Sequence, residues 1–451
     1  MKPFFEYVDA HAPQYIADLQ RLLRQPSISA QGVGVAETAA MVQDFFVAAG
    51  GRARLVTTPG ARPVVYAEFE GGPGPMLAFY NHYDVQPADP LDLWHSDPFS
   101  AEIRKGRIWA RGAADNKGNL MARIAAIRAY RDVYGALPLP VKFIVEGEEE
   151  VGSPHLADFA DGHQDLVQAS GCVWEGGFKD NTGRPIIYCG VKGICYVEIR
   201  VSGARSDLHS MWGSIAPNPV WRLTWALSRL KTPDERVQIP GFYDPVRQPT
   251  PRDLDMLDDI PFDAAERAAD LGFSRFVLGL EGRRLLEQHF FQPTCTICGV
   301  GGGYGGLGVK TVLPNAAWAK VDFRLVPDQD PDDVFRKFRT FLTNEGCGDF
   351  EVTLLAAEHP ARTPVDDRLV QASVNVARTL YGSEPILYPL VPGSGPMYAL
   401  CQKWGIPSCA APGVSHPGAN IHAPNENIFI DDYVQTIKGI GLLMAEYGRK
   451  T

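Results

Sequence analysis

The stretch Met76-Leu77-Ala78-Phe79-Tyr80-Asn81-His82-Tyr83-Asp84 decides how this chain is read. Its apolar run, Met76 to Tyr80, predicts a buried strand. Side chains two apart on a strand share a face, so His82 and Asp84 project together where the strand ends. In open α/β sheets that end is where ligands bind. Metal-bound imidazoles usually have a carboxylate behind the ring, and Asp84 either does that for His82 or is itself a ligand. Taken alone, the pair reads as a polar strand end in a turn. The rest of the chain decides against that reading.

Upstream of this stretch, helical periodicity covers 13–25, ending at Pro26, and 35–49, ending in Gly50-Gly51. Strands are predicted at 52–57 and 64–69. Downstream come a strand-like run at 103–111, a helix at 117–134, a buried strand at 141–145 and a short strand at 172–174. Strands alternating with helices predict a mainly parallel, three-layer α/β domain.

From residue 194 the pattern changes. A strand at 194–201 and a helix at 219–230 are followed by strands at 294–300 and 317–326, a helix at 332–344 and a strand at 350–356. This β-α-β-β-α-β order is ferredoxin-like. Residues 232–290 form a Pro- and charge-rich insertion with short helices of its own. The α/β pattern resumes at Asp367, with helices at 367–380, 397–404 and 431–447 and a strand at 386–390. The expectation is therefore one α/β domain in two parts, 1–193 and 364–451, interrupted by an inserted α+β domain at 194–363.

A chain of 451 residues has room for two or three domains. Apolar residues at 45% and charged residues at 21% are ordinary for a soluble globular protein. The net charge of −10 carries no block of like charges, which argues against a nucleic-acid surface. Met1 to Glu6 has no long apolar core, so no secretory signal is expected, and no run approaches the ~18 apolar residues of a membrane span. Eight cysteines are scattered, mostly in apolar segments such as those of Cys189, Cys195 and Cys401. They read as reduced thiols of a cytoplasmic protein. Cys295 and Cys298 have C-x-x-C spacing but no second pair, which argues against a zinc or redox role.

Four further strand ends carry polar chemistry. Asp115 lies in Arg111-Gly112-Ala113-Ala114-Asp115-Asn116-Lys117-Gly118, where a strand gives way to a helix. It can cap that helix or bridge two cations. Glu146-Gly147-Glu148-Glu149-Glu150 follows a buried strand directly. Acids so close raise one another's pKa, and at the end of a core strand a cation explains them best. Neighbouring glutamates also permit one to act as ligand and one as base. Glu175 ends the strand of Cys172-Val173-Trp174, and His422 stands in Ile421-His422-Ala423-Pro424-Asn425-Glu426. One His and one carboxylate per cation, with a carboxylate shared, makes a co-catalytic zinc site.

With these residues in view, the chain resembles the di-zinc metallopeptidases that include carnosinase, carboxypeptidase G, aminoacylase and succinyl-diaminopimelate desuccinylase. The likeness is strongest to the carnosinase and cytosolic non-specific dipeptidase branch, and it covers nearly the whole chain. It is carried by His82-Tyr83-Asp84-Val85-Gln86-Pro87, Arg111-Gly112 with Asp115 and Lys117-Gly118, and Glu149-Glu150 before Gly152-Ser153. Asp207-Leu208-His209-Ser210, Lys310-Thr311-Val312, Arg324-Leu325-Val326-Pro327 and His422 with Asn425-Glu426 complete it.

The resemblance implies that His82 and Glu175 bind one zinc, that Glu150 and His422 bind the other, and that Asp115 bridges them. Manganese or cobalt can replace zinc. Glu149 is implied as general base and Asp84 as the partner of His82. Members of the dipeptidase branch usually have Asp where this chain has Glu175, as desuccinylase-like members do. A cis peptide is implied at Asp115-Asn116. The inserted domain is implied as lid and dimerisation domain, with His209 reaching into the partner's site in a homodimer. Arg324, on the strand face it shares with Lys320 and Asp322, is implied to clamp a substrate carboxylate. Ser394 would help it, although the branch usually has an aliphatic residue where Gly395 stands, and His359 is a further substrate contact. The implied activity is metal-assisted hydrolysis of dipeptides or small peptides with a free C-terminal carboxylate. An N-acyl amino-acid deacylase or desuccinylase would use the same residues.

Overall fold

The computed structural model describes residues 1–449. Its chain forms two compact units. The first comprises Met1–Gly190, Arg362–Pro389 and the chain from Pro396 onward. Its sheet has six strands in the order Arg52–Val56, Val64–Phe69, Val141–Glu146, Leu77–His82, Gly171–Trp174 and Ser408–Ala410. The last three pairings are parallel and the first two antiparallel. The sheet is thus mainly parallel, as its alternating pattern predicts. The antiparallel edge follows from chain length: no helix lies between the strands 52–56 and 64–69, and a short connection permits only a hairpin.

The central strands are buried on both faces. Every residue of Leu77–His82 and of Val141–Glu146 is buried, which is why, apart from Lys142 and the polar ends at Asn81, His82 and Glu146, they read as apolar runs. Phe46, Phe69, Phe79 and Phe143 stack into one aromatic cluster at their base. Each such ring contributes about 1.5–3 kcal/mol by burial. Helices Lys2–Leu23, Gly118–Tyr134 and Ile430–Gly448 pack together, and Val35–Ala48 covers Arg52–Val56. The first helix begins eleven residues earlier than the periodicity suggested, at Lys2, because its buried stripe of Phe4, Val8, Tyr15 and Leu19 runs straight through Pro13. The run 103–111 is instead a hairpin, Glu102–Arg104 and Arg107–Trp109. Gly106, at φ 70°, supplies the left-handed turn between them.

The second unit comprises Val191–Ala361 and Leu390–Gly395. Its antiparallel sheet has the order Thr294–Gly302, Ala316–Leu325, Gly193–Ser202, Glu351–Glu358. Read as the second, third, first and fourth strands of the domain, this is the ferredoxin-like arrangement. Helices Pro219–Leu230 and Pro331–Asn344 cover one face. Asn218 and Asp330 cap them through side-chain oxygens that accept backbone N–H bonds, and each cap is followed by Pro. Ala317, Ala319, Val321, Phe323 and Leu325 form the buried face under those helices. Lys320, Asp322 and Arg324 alternate with them on the other. The insertion folds into helices Pro251–Asp258, Ala264–Asp270 and Gly282–Phe291.

All eight cysteines are free thiols, seven of them buried. Among the described residues no helix is long and apolar enough to cross a membrane.

Candidate active site

His82 is the last residue of its strand and is fully buried. The neighbouring parallel strand Val141–Glu146 ends beside it and continues into the turn Glu149–Val151. On the other side, Gly171–Trp174 ends one residue before Glu175. These strands end at one edge because they are parallel and in register, so their terminal side chains converge. Asp115 enters from the turn Ala113–Lys117, and His422 from the loop preceding the strand Asn427–Phe429.

Asp115 is the centre of the cluster. One of its oxygens lies 3.0 Å from His82 Nε2, the other 3.2 Å from His422 Nε2. Glu175 Oε2 is 3.5 Å from His82 Nε2, and Glu150 Oε2 is 3.1 Å from His422 Nε2. Glu149 groups with His82 and Glu150, their donor atoms within 4.8 Å of one another. All seven residues singled out here from the sequence, Asp84 included, are brought together, and the Asp115–Asn116 peptide is cis.

Several side chains hold this arrangement. Asp84 lies 3.4 Å from His82 Nδ1 and also accepts the backbone N–H groups of Glu149 and Glu150 at 3.3 and 3.0 Å. It thereby fixes ring and glutamate turn together. Gln86 donates to Glu150 Oε2 at 3.0 Å. Arg123, buried in the helix Gly118–Tyr134, donates to Tyr80 O, Asn81 Oδ1, Trp174 O and Glu175 O. It ties the strand carrying His82 to the strand carrying Glu175. Glu426 accepts from Arg111 Nη1 and from the backbone N–H groups of Gly112, Ala114 and Asp115 at 2.8–3.0 Å. It pins the Asp115 turn to the loop of His422. Asp84 is expected from the sequence as the partner of His82, and Gln86, Arg111 and Glu426 stand in the motifs that carry the resemblance. No spacing rule shows how Arg123 or Glu426 ties distant elements together.

Crowded acids and imidazoles shift one another. Burial pushes Glu149 well above the usual carboxylate range, and the Glu175 charge adds to it. Burial likewise lifts Glu175 to about 7, with Asp115 and Glu150 raising it against the pull of His82. Burial alone would lift Asp115 too, but bonds from His422 and His82 hold it below the normal range. Those from Asp115 and Glu150 raise His422 to about 10. So much charge of one sign converging in a buried pocket calls for a compensating cation.

The donors fit a metal pair. Glu175 Oε2 is buried with no hydrogen-bond partner, an orphan that ligation would satisfy. Two imidazoles and carboxylates, without thiolates, suit zinc, manganese or cobalt. Donors about 2.1 Å from a common tetrahedral ion lie about 3.4 Å apart, close to the 3.0–3.5 Å of the imidazole–carboxylate contacts here. Asp115 touches both imidazoles and is placed to be shared.

The remaining candidates lie in the second unit. Arg324 donates from Nε to Asp322 at 3.1 Å and from Nη1 to Ser394 Oγ at 2.9 Å, so Arg324 and Ser394 are brought together. His359 is half-buried just beyond the strand Glu351–Glu358. His209 is exposed, with Nδ1 accepting Met211 N and Nε2 3.4 Å from Thr311 Oγ1.

Fold and donor set together define a metal-dependent hydrolase. Residues 78–446 match the model of Peptidase family M20/M25/M40, and the chain belongs to that family and is a metallopeptidase. It is 30% identical over 364 residues, 75% of either chain, to the Cys-Gly metallodipeptidase of Schizosaccharomyces pombe. Among solved structures it matches an M20 family metallo-carboxypeptidase from Sulfolobus solfataricus at 40% identity and TM-score 0.91, covering 96% of this chain and 99% of that one. Human carnosine dipeptidase 1 matches at 26% identity and TM-score 0.78, with 99% and 98% covered.

Proposed function

We propose that the protein is a di-zinc dipeptidase or small-peptide hydrolase acting on substrates with a free C-terminal carboxylate. The observation that carries this reading is the Asp115 carboxylate, set between His82 and His422 with Glu175 and Glu150 beside them. On this reading His82, Glu175, Glu150 and His422 are the ligands and Asp115 the shared one. A bound metal pair supplies Lewis acidity and brings the pKa of a water towards ~7. Glu149 takes the proton from the attacking water and returns it to the leaving amine. Asp84 holds His82 in one tautomer. Arg324 and Ser394 receive the substrate's terminal carboxylate as a planar fork and a hydroxyl, with His359 as a further contact.

His209 serves the oxyanion in a homodimer formed through the second unit. The surface around it supports this: Met211, Trp212 and Ile215 are large, apolar and exposed. Eight free thiols fit a cytoplasmic enzyme. Glu175, where dipeptidases of this type usually carry Asp, keeps an N-acyl amino-acid deacylase as a second reading.

The test is metal content by mass spectrometry and anomalous diffraction, followed by rates on dipeptides and N-acyl amino acids. Two metals per chain with dipeptides hydrolysed fastest is the expected result. Fewer than two metals in fully loaded protein rejects the mechanism, and faster turnover of N-acyl amino acids moves the assignment to the deacylase.

A further inference from the structure

The second unit contains a cavity of about 470 Å³, in the range of small-molecule sites. The insertion builds its apolar lining from Phe262, Leu271, Phe276, Val277, Leu285 and Leu286. The rings of Phe262 and Phe276 are 5.9 Å apart. Leu271 and Val277 are 55% and 51% exposed, and large apolar groups left open around a concave site mark a surface for a ligand.

The same cavity has a cationic part. Lys192 lines it and is 2% exposed. Its Nζ donates to Gln292 O at 2.7 Å, and among the described residues no carboxylate pairs with it. Burial, and then the like charge of Arg324, hold its ammonium down to about 8. Arg324 also lines the cavity, with Nε on Asp322 and Nη1 on Ser394, which leaves Nη2 for a ligand. The acid in the lining, Glu235, is paired with Lys231 at 2.7 Å. A buried ammonium beside a guanidinium is costly, and an anion relieves it. The apolar lining then selects an organic anion over an inorganic one.

We propose that this cavity binds a carboxylate bearing a bulky apolar side chain. Resting on the peptidase reading above, that ligand is the C-terminal residue of the substrate. Peptides ending in Phe or Leu are then preferred to peptides ending in Gly. A C-terminal glycine, as in the dipeptide that names the Schizosaccharomyces pombe relative, leaves the lining of Phe and Leu side chains unused.

Two measurements separate this inference from the peptidase reading. The first is calorimetric titration of the metal-free protein with N-acetyl-L-phenylalanine and with N-acetylglycine. The apolar ligand should bind at least ~10-fold tighter, the worth of a few methylenes in a fitted pocket. The second is kcat/KM of the metal-loaded enzyme on Ala-Phe, Ala-Leu and Ala-Gly, with the same preference expected. Val277→Asp sits at an exposed position and should fold. It places a charge in the apolar lining that receives the side chain and should shrink the Ala-Phe to Ala-Gly ratio by ~10-fold or more. Leu286→Trp, which fills the cavity, should shrink it likewise. Equal affinities for the two N-acetyl ligands overturn the cavity's assignment even if every dipeptide is hydrolysed. A binding preference without any dipeptide hydrolysis sinks the peptidase reading and leaves the cavity standing. A binding preference with hydrolysis indifferent to the C-terminal residue shows that the cavity does not serve the substrate, and overturns the proposal in that form.

Discussion

Asp84 does two things that a carboxylate can combine only when it is wholly buried. One oxygen faces His82, and both accept from the turn of Glu149 and Glu150. In water such bonds would be exchanged with solvent; here they set the angle between the His82 imidazole and the turn of Glu149 and Glu150. This gives the role of Glu149 a sharp test. Glu149→Gln keeps the shape of the side chain and both backbone anchors, so both metals should stay while kcat falls ~10²–10⁴-fold. Metal content and turnover measured on one preparation decide it, and a variant with wild-type kcat would remove Glu149 as base. Glu146 offers a different test. Burial, helped by the Asp84 charge, pushes its carboxyl up to about 8 against the pull of the Tyr80 and Ser153 hydroxyls. Its pKa is thus higher folded than unfolded. The neutral form is the one the fold favours, so its contribution is whole below the unfolded value of 4.5 and is lost as the pH rises towards 8. Metal-free wild type should therefore lose more stability than Glu146→Gln between about pH 5 and about pH 8. Urea midpoints at the two pH values measure this, and identical slopes would show that Glu146 is ionised in the fold.

At the scale of elements, the site is three parallel strand ends and two loops. The strands were legible because burial on both faces leaves an apolar run that stops where chemistry begins, as at Tyr80-Asn81-His82 or Val173-Trp174-Glu175. The ferredoxin-like sheet was legible because one face is buried and its residues alternate. What sequence pattern could not give was the tie between elements. Arg123 is one charge among others on the helix Gly118–Tyr134, and nothing local says that its guanidinium ends at oxygens of Tyr80, Asn81, Trp174 and Glu175. Glu426 was visible only within a motif, its bonds to the Asp115 turn lying more than 300 residues away in sequence. The first helix starts at Lys2, before the periodicity at 13–25, because packing of Phe4 and Val8 in the core extends it through Pro13. Arg123→Met tests the tie. It strands buried carbonyls that found their donor in the guanidinium, at a cost on the order of 3 kcal/mol. It should also weaken metal binding at His82 and Glu175 by ~10–100-fold, since both strand ends lose their common anchor. Urea denaturation of the metal-free variant and a metal titration read the two effects separately. An unchanged metal affinity in a destabilised variant would confine Arg123 to holding the fold.

At the scale of the whole molecule, the question is how many chains make one working site. His209 belongs to the second unit, while His82, Asp115, Glu150, Glu175 and His422 all belong to the first. On the homodimer reading each second unit sends His209 to the other chain, and a two-fold axis makes the exchange reciprocal. The outer strands of the second unit's sheet, Thr294–Gly302 and Glu351–Glu358, carry exposed Ile297, Val300 and Leu355. An open apolar edge of this kind favours pairing with a twin strand. Two variants, each inactive alone, turn this into a measurement. Glu149→Gln removes the base from its own chain's site, and His209→Ala removes the oxyanion group from its partner's. Mixed under subunit exchange, they form dimers in which one site carries both defects and the other carries neither. Each mixed dimer should then regain about half the wild-type activity, since one of its two sites is whole. Exchange is followed independently by native mass spectrometry of differently tagged chains. Mixed dimers that form and stay inactive would place the action of His209 within its own chain or outside catalysis. A chain that stays monomeric at working concentrations yet turns over substrate would end the dimer reading itself.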